Sequence, residues 1–89
     1  MNTVKVRKRF GTKVAECEYS IKNSEFLIKT NNPDKFLKNI LSSAFYHAHS
    51  KNGNIFHTYQ DNFLQIYYDI PDCDVLYTDY EVFSIENEV

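Results

Sequence analysis

The acids and tyrosines near the C-terminus are the residues of this chain whose types and spacing best fit a binding site. Residues 61–89 contain eight Asp or Glu and no Lys or Arg, whereas residues 1–60 contain ten Lys or Arg and four Asp or Glu. The acids are interleaved with tyrosines, which are enriched at protein interfaces because they combine a large contact area with a polar tip. We therefore predict a partner-binding surface that consists of Asp69, Asp72, Asp74, Asp79, Glu81, Tyr67, Tyr68, Tyr77 and Tyr80.

The spacing of these acids indicates the chemistry of the partner. Acids two residues apart on a strand stand about 6.7 Å from each other on one face, and nucleic acids also present negative charge at short, regular intervals. An acidic row of this kind can compete for a groove that binds phosphates. The pattern predicts that the partner offers a basic protein surface, as a nucleic-acid-processing enzyme or complex does, and that complementary charge speeds the association.

The basic N-terminal segment supports two other interpretations. The first is RNA or DNA binding, with Phe10 and Tyr19 available for stacking on bases. The residues for this alternative are Lys5, Arg7, Lys8, Arg9 and Lys13. The isoelectric point of about 5.8 and the lack of a known recognition motif make direct nucleic-acid binding less favoured. The second is that the opposite charges pair within the fold, where each exposed pair contributes only ~0.2–1 kcal/mol.

The histidines are the candidates for catalysis and metal binding. With Arg7 to Arg9 holding a phosphate and Tyr59 nearby, His47 or His57 could act as the acid or base of a small ribonuclease. No motif fixes their geometry, so we assign no catalytic residue and expect no enzyme. His47 and His49 lie about 200° apart on a helix and cannot bind one metal together. Cys-x-x-Cys, His-Glu-x-x-His and calcium-loop patterns are lacking, so we expect no metal and no cofactor.

One domain over residues 1–89 has to position these side chains, since a chain of this length builds a single core. Its clearest element is a helix. Asn32 is a typical N-cap before Pro33 and Asp34, and apolar residues then recur at spacings of three and four. We predict an amphipathic helix from about 33 to 50, which Asn52 or Gly53 ends in a left-handed conformation.

Period-two alternation predicts the strands. We expect strands at 3–10, 13–21, 25–30, 54–60, 63–70 and 75–85. Gly11 should break the first two apart, which would place Glu16 and Glu18 opposite the basic residues of the first strand. Asp61 and Asn62 fit a hairpin turn, and a bulge near Asp79 would reconcile the two halves of the last strand. The expected fold is α+β, with the order β-β-β-α-β-β-β and a mostly antiparallel sheet under the helix.

The remaining features concern location and family. The N-terminus lacks the apolar region of a signal peptide and no apolar run is long enough to span a membrane, so we expect a cytoplasmic protein without a membrane partner. Cys17 and Cys73 define no disulfide framework. The general profile of a short acidic domain rich in Asn, Lys, Ile, Tyr and Phe resembles the small phage and mobile-element proteins, such as anti-CRISPR proteins, that act against bacterial defence nucleases. That resemblance implies an inhibitor.

Overall fold

A computed structural model describes residues 1–86 of the chain. The elements are β1 (Asn2–Ala15), β2 (Glu18–Thr30), α1 (Pro33–Ser50), β3 (Asn54–Gln60), β4 (Phe63–Asp69) and β5 (Val75–Glu86). The five strands form one antiparallel sheet in the order β2-β1-β5-β4-β3. Helix α1 connects the two edge strands and packs on one face of the sheet, which leaves the other face open to solvent. The fold is therefore α+β, as predicted.

The helix begins and ends where its sequence signals predict. The Asn32 side chain accepts a hydrogen bond from the Lys35 backbone N–H at 3.0 Å. At the other end Asn52 takes the left-handed conformation, with φ 57°, and the Gly53 N–H donates to the carbonyl of Ala48 at 2.8 Å. Both ends are thus satisfied by residues adjacent to the helix.

The predicted order of six strands is wrong, because two long strands replace the first three. β1 continues through Gly11 to Ala15, and the chain turns at Glu16 and Cys17 before β2 begins. Gly11 is buried, and a Cβ there would overlap the ring of Tyr77. This glycine therefore makes room for a ring from a neighbouring strand instead of ending its own strand. The observed order is β-β-α-β-β-β.

The predicted pairing of Glu16 and Glu18 with the basic residues of β1 is also wrong. Because the turn lies at Glu16 and Cys17, the partner of Arg7 on β2 is Glu25, and that of Arg9 is Asn23. The two acids instead occupy the end of the hairpin.

The irregularities of β5 lie on either side of Asp79, at Leu76 and Phe83, and not at Asp79 itself. Its ladder with β1 shifts between Lys5 and Val6 and again between Gly11 and Thr12. These shifts leave Phe83 and Leu76 of β5 without direct partners on β1. Between the two bulges β5 alternates regularly, so that Thr78, Tyr80 and Val82 face the helix while Tyr77, Asp79 and Glu81 face the open side. Each bulge adds one unpaired residue to β5, and this is why the apolar residues of 75–85 do not follow one period-two pattern throughout.

The core lies between α1 and the sheet. Its largest fully buried side chains are Val4, Val6, Leu37, Leu64 and Ile66. Alternate residues of β4 face the helix, since Leu64 and Ile66 are buried and Tyr68 packs against the core. The predicted turn between β3 and β4 is confirmed. Asp61 and Asn62 both have positive φ, at 49° and 65°, as a two-residue type I′ turn requires.

The β1–β2 hairpin extends beyond the rest of the sheet. The last pair between β1 and β5 joins Thr12 to Val75, whereas β1 and β2 remain paired as far as Ala15 and Glu18. We call residues 13–19 the hairpin arm. It gives the molecule an elongated shape of 50 × 25 × 18 Å. Within residues 1–86 no helix combines the length and apolar character needed to cross a bilayer.

Candidate functional site

The sheet divides the predicted partner-binding residues between its two faces. Tyr68 and Tyr80 point toward the helix and pack against the core, where burial raises the pKa of Tyr68. Tyr67 and Tyr77 lie on the open face, with ring centroids 6.3 Å apart. The split follows from strand geometry, because adjacent residues of a strand point to opposite sides. The predicted set therefore forms no single continuous surface.

Two of the predicted acids pair with two of the predicted basic residues. Arg9 Nη2 and Nε lie 2.9 and 3.3 Å from Asp79 Oδ2, and Arg7 Nη1 lies 4.0 Å from Glu81 Oε1. Arg7 Nε also donates to Glu25 at 3.2 Å. Hydrogen bonding to Asp79 raises the pKa of Arg9. These pairs form because β1 and β5 are neighbours in the sheet. Two basic residues of the N-terminal segment and two acids of the C-terminal segment therefore neutralise one another within the fold.

The three other predicted acids collect at one end of the sheet, together with two acids of the β1–β2 hairpin. Glu16 and Glu18 lie in the hairpin arm, and Asp69, Asp72 and Asp74 lie at the end of β4 and in the β4–β5 loop. We call these five residues the acidic end. The Lys13 N–H holds the two parts together by donating to the Asp74 carbonyl at 2.8 Å.

The carboxylates of the acidic end remain available to a partner. None of the five forms a side-chain hydrogen bond or an ion pair with another residue of the described chain. Three lysines lie near them. Lys13 is in the hairpin arm, Lys51 lines a shallow cavity together with Asp72 and Asp74, and Lys8 lines a second cavity with Cys73. Five acids against three lysines leave this end negative.

A row of apolar and aromatic residues, one from each strand, crosses the open face next to the acidic end. The register places Phe56, Tyr67, Tyr77, Gly11 and Ile21 side by side on β3, β4, β5, β1 and β2. We call this set the aromatic row. Phe56 is 64% exposed, Tyr67 46% and Ile21 60%. Because its members come from five strands, alternation within each segment does not reveal the row, and only the strand order and register do.

The basic residues proposed for nucleic-acid binding are also spread over different surfaces. Lys5, Arg7 and Arg9 lie on the open face, whereas Lys8 faces the other side, 5.5 Å from the ring centre of Tyr80. Lys13 lies at the base of the hairpin arm. The segment 5–13 thus offers no continuous basic patch.

Of the candidate ribonuclease residues, His47 and Lys8 lie together, whereas His57 lies apart from Arg7 and Arg9. His57 lies on the helix-facing side of β3, with its ring 5.6 Å from that of Phe45, while Arg7 and Arg9 are on the open face. His47 shares a cavity of about 270 Å³ with Lys8.

The remaining candidate, Tyr59, is engaged in the fold. Its hydroxyl donates to Asp34 in the first turn of α1. Burial, together with this hydrogen bond, raises the pKa of Tyr59 to about 12. The bond therefore fastens β3 to the start of the helix.

Residues 1–86 contain no group of three or more His, Cys, Asp or Glu side chains that could hold a metal ion. Cys17 and Cys73 are both free thiols. No family model, curated protein or solved structure matches the chain.

Proposed function

We propose that this protein is a small protein-binding module, and more specifically an acidic inhibitor that blocks the nucleic-acid-binding surface of a partner enzyme. The observation that supports the proposal is the acidic end. Its five carboxylates have no ionic partner among the described residues, whereas Arg7 and Arg9 already have theirs. At this end of the sheet the charge that remains free for an external partner is therefore predominantly negative.

The surroundings of the acidic end suit a protein partner. Val14 and Tyr19 of the hairpin arm are 60% and 62% exposed and adjoin Glu16 and Glu18. Asp69 follows Tyr67 by two residues on the same face, so the acidic end is continuous with the aromatic row. Apolar side chains would form the centre of the interface and carboxylates its rim, which is the usual composition of specific interfaces.

Charge accounts for how the inhibitor would work. A groove that binds nucleic acid carries Lys and Arg side chains, and these attract a negative surface over a distance of about 10 Å at moderate salt. Once docked, the carboxylates occupy the positions of phosphates, and the hairpin arm covers the groove. Direct nucleic-acid binding has less support, because Lys5, Arg7 and Arg9 share the open face with the three acids Glu25, Asp79 and Glu81.

Capture of the partner by matched variants tests this proposal. The first variant, Glu18→Gln/Asp72→Asn, removes two charges from the acidic end. The control, Asp61→Asn/Glu86→Gln, removes the same types of charge from exposed positions at the opposite end of the sheet. Each immobilised variant is incubated with nuclease-treated lysate of the native host, and the captured protein is identified and then titrated in purified form.

We expect the first variant to bind about tenfold more weakly and the control to bind like the wild type, because about 0.7 kcal/mol for each lost charge pair amounts to a factor of ten. Equal affinity of the two variants, with the fold intact by circular dichroism, would show that the acidic end does not form the interface.

A further inference from the structure

A trough on the open face of the sheet lies beside the aromatic row, on the side away from the acidic end. Its volume is about 530 Å³, and its charged and aromatic lining consists of Arg7, Arg9, Glu25, Asp79, Glu81 and Phe63. Three carboxylates and two guanidinium groups give this lining a net charge of −1. The volume is in the range of ligand-binding cavities and exceeds that of one side chain.

The trough contains one buried hydrogen-bond acceptor without a donor within residues 1–86. The Asp79 side chain is only 6% exposed, and its Oδ2 receives both hydrogen bonds from Arg9. Its Oδ1 is buried and has no hydrogen-bond partner among the described residues. A buried acceptor without a donor costs about 1–3 kcal/mol, so native proteins seldom retain one without a reason.

The other carboxylates of the trough have spare acceptor capacity as well. Glu81 lies 4.0 Å from Arg7 Nη1, too far for a hydrogen bond, and Glu25 receives a single bond from Arg7 Nε. The donors of the two arginines therefore leave at least one oxygen of each carboxylate unused. A ligand that supplies N–H donors and positive charge would complete this arrangement.

We infer that the trough receives an arginine side chain of the partner protein, an inference that rests on the proposed function and deepens it. A guanidinium group presents five N–H donors in a plane and can bond Asp79 Oδ1 and Glu81 together, while its flat face and stem pack on Phe63. A lysine would bring the charge but only a compact ammonium group, and would satisfy fewer of the fixed acceptors.

Binding requires the side chains around Asp79 to move. Asp79 Oδ1 is shielded from solvent, whereas the Arg9 side chain, which bonds Oδ2, is 49% exposed. An incoming guanidinium therefore has to displace the side chains that cover Oδ1 before it can donate to that oxygen.

Three short peptides test the inference without the partner. N-acetyl-Gly-Arg-Gly-amide, its Lys analogue and its Gln analogue are titrated into the ¹⁵N-labelled protein and followed by NMR. We expect saturable shifts of the Asp79 and Glu81 amides with the Arg peptide, with a Kd on the order of 1 mM. The Lys peptide should bind at least threefold more weakly, and the Gln peptide should not saturate.

The variants Glu81→Gln and Asp79→Asn should each weaken the Arg peptide at least threefold, while the control Glu86→Gln should leave its affinity unchanged. Equal responses to the Arg and Gln peptides, or an Arg affinity unaffected by both trough variants, would overturn the inference. A variant that proves unfolded by NMR is replaced by the other, so one of the two always gives the comparison.

The two proposals fail in different ways. If Glu18→Gln/Asp72→Asn captures the partner normally while the Arg peptide still binds the trough, the acidic end is wrong and the trough stands. If that variant loses the partner but Glu81→Gln binds both the Arg peptide and the captured partner as tightly as the wild type does, the acidic end stands and the trough is wrong.

Discussion

Replacing Arg9 with methionine should destabilise the protein by about 2 kcal/mol, although half of the Arg9 side chain is exposed. Arg9 neutralises Asp79, whose side chain is 6% exposed, through two contacts to Oδ2 at 2.9 and 3.3 Å. Methionine keeps most of the apolar stem and removes only the charged group. The substitution therefore leaves a buried carboxylate with neither of its oxygens paired.

The magnitude follows from the unequal burial of the two partners. Breaking a fully buried pair by removing one member costs about 3–5 kcal/mol, whereas a fully exposed pair is worth about 0–1 kcal/mol. The Asp79 side is buried and the Arg9 side is 49% exposed, so water can partly solvate the carboxylate once Arg9 is gone. An intermediate value of about 2 kcal/mol is the result. A domain of 89 residues, with about 4–13 kcal/mol of total stability, should still fold.

Urea unfolding at pH 7 measures this effect against a matched control. Lys5→Met changes a residue of the same strand and face that has no ion pair within residues 1–86, and it should cost no more than about 0.5 kcal/mol. In the double variant Arg9→Met/Asp79→Asn the loss should fall short of the sum of the single losses by about 1 kcal/mol. A loss for Arg9→Met within 0.5 kcal/mol (about the additivity error) of that for Lys5→Met would refute the structural role of the pair.

Three further substitutions test the fold. The pKa of Tyr59 is raised from 10.0 to about 12, so its contribution to stability is complete below pH 10 and is lost as the pH rises through 12. Tyr59→Phe should therefore lose less stability at alkaline pH in urea unfolding, and equal pH profiles of the two proteins would contradict this. Cys17 has φ 63°, and Cys17→Gly should raise stability by about 0.5–1 kcal/mol, whereas a decrease would argue against this turn. Asn32→Ala removes the 3.0 Å bond from Lys35 N–H and should lower Tm by about 4–8 °C in calorimetry, while an unchanged Tm would exclude the cap.

The elements with local signals could be predicted from the sequence. Asn32 and Asn52 mark the ends of α1, and Asp61 and Asn62 mark the turn between β3 and β4, because each of these residues satisfies a backbone requirement within a few positions of itself. Gly11 misled the prediction. A glycine in a strand signals a break when only its neighbours in sequence are considered, but here it accommodates the ring of Tyr77, a residue far along the chain.

The candidate site depended on long-range information in the same way. The identity of the acids and tyrosines could be read from the sequence, but the pairing of Arg9 with Asp79 spans 70 positions and requires β1 to lie beside β5. That neighbour relation separates Asp79 and Glu81, which pair with arginines on the sheet, from Asp69, Asp72 and Asp74, which remain free at the acidic end. The aromatic row had no local signal, since each of its members comes from a different strand.

Competition with nucleic acid is the most direct test of the central claim that the acidic end occupies a phosphate-binding surface. A fluorescently labelled oligonucleotide is bound to the purified partner, and its anisotropy is followed as wild-type protein, Glu18→Gln/Asp72→Asn or Asp61→Asn/Glu86→Gln is added. We predict that the wild type and the Asp61→Asn/Glu86→Gln control displace the oligonucleotide at similar concentrations, whereas the acidic-end variant requires about tenfold more. A complex in which the partner holds this protein and the oligonucleotide at the same time would contradict the account.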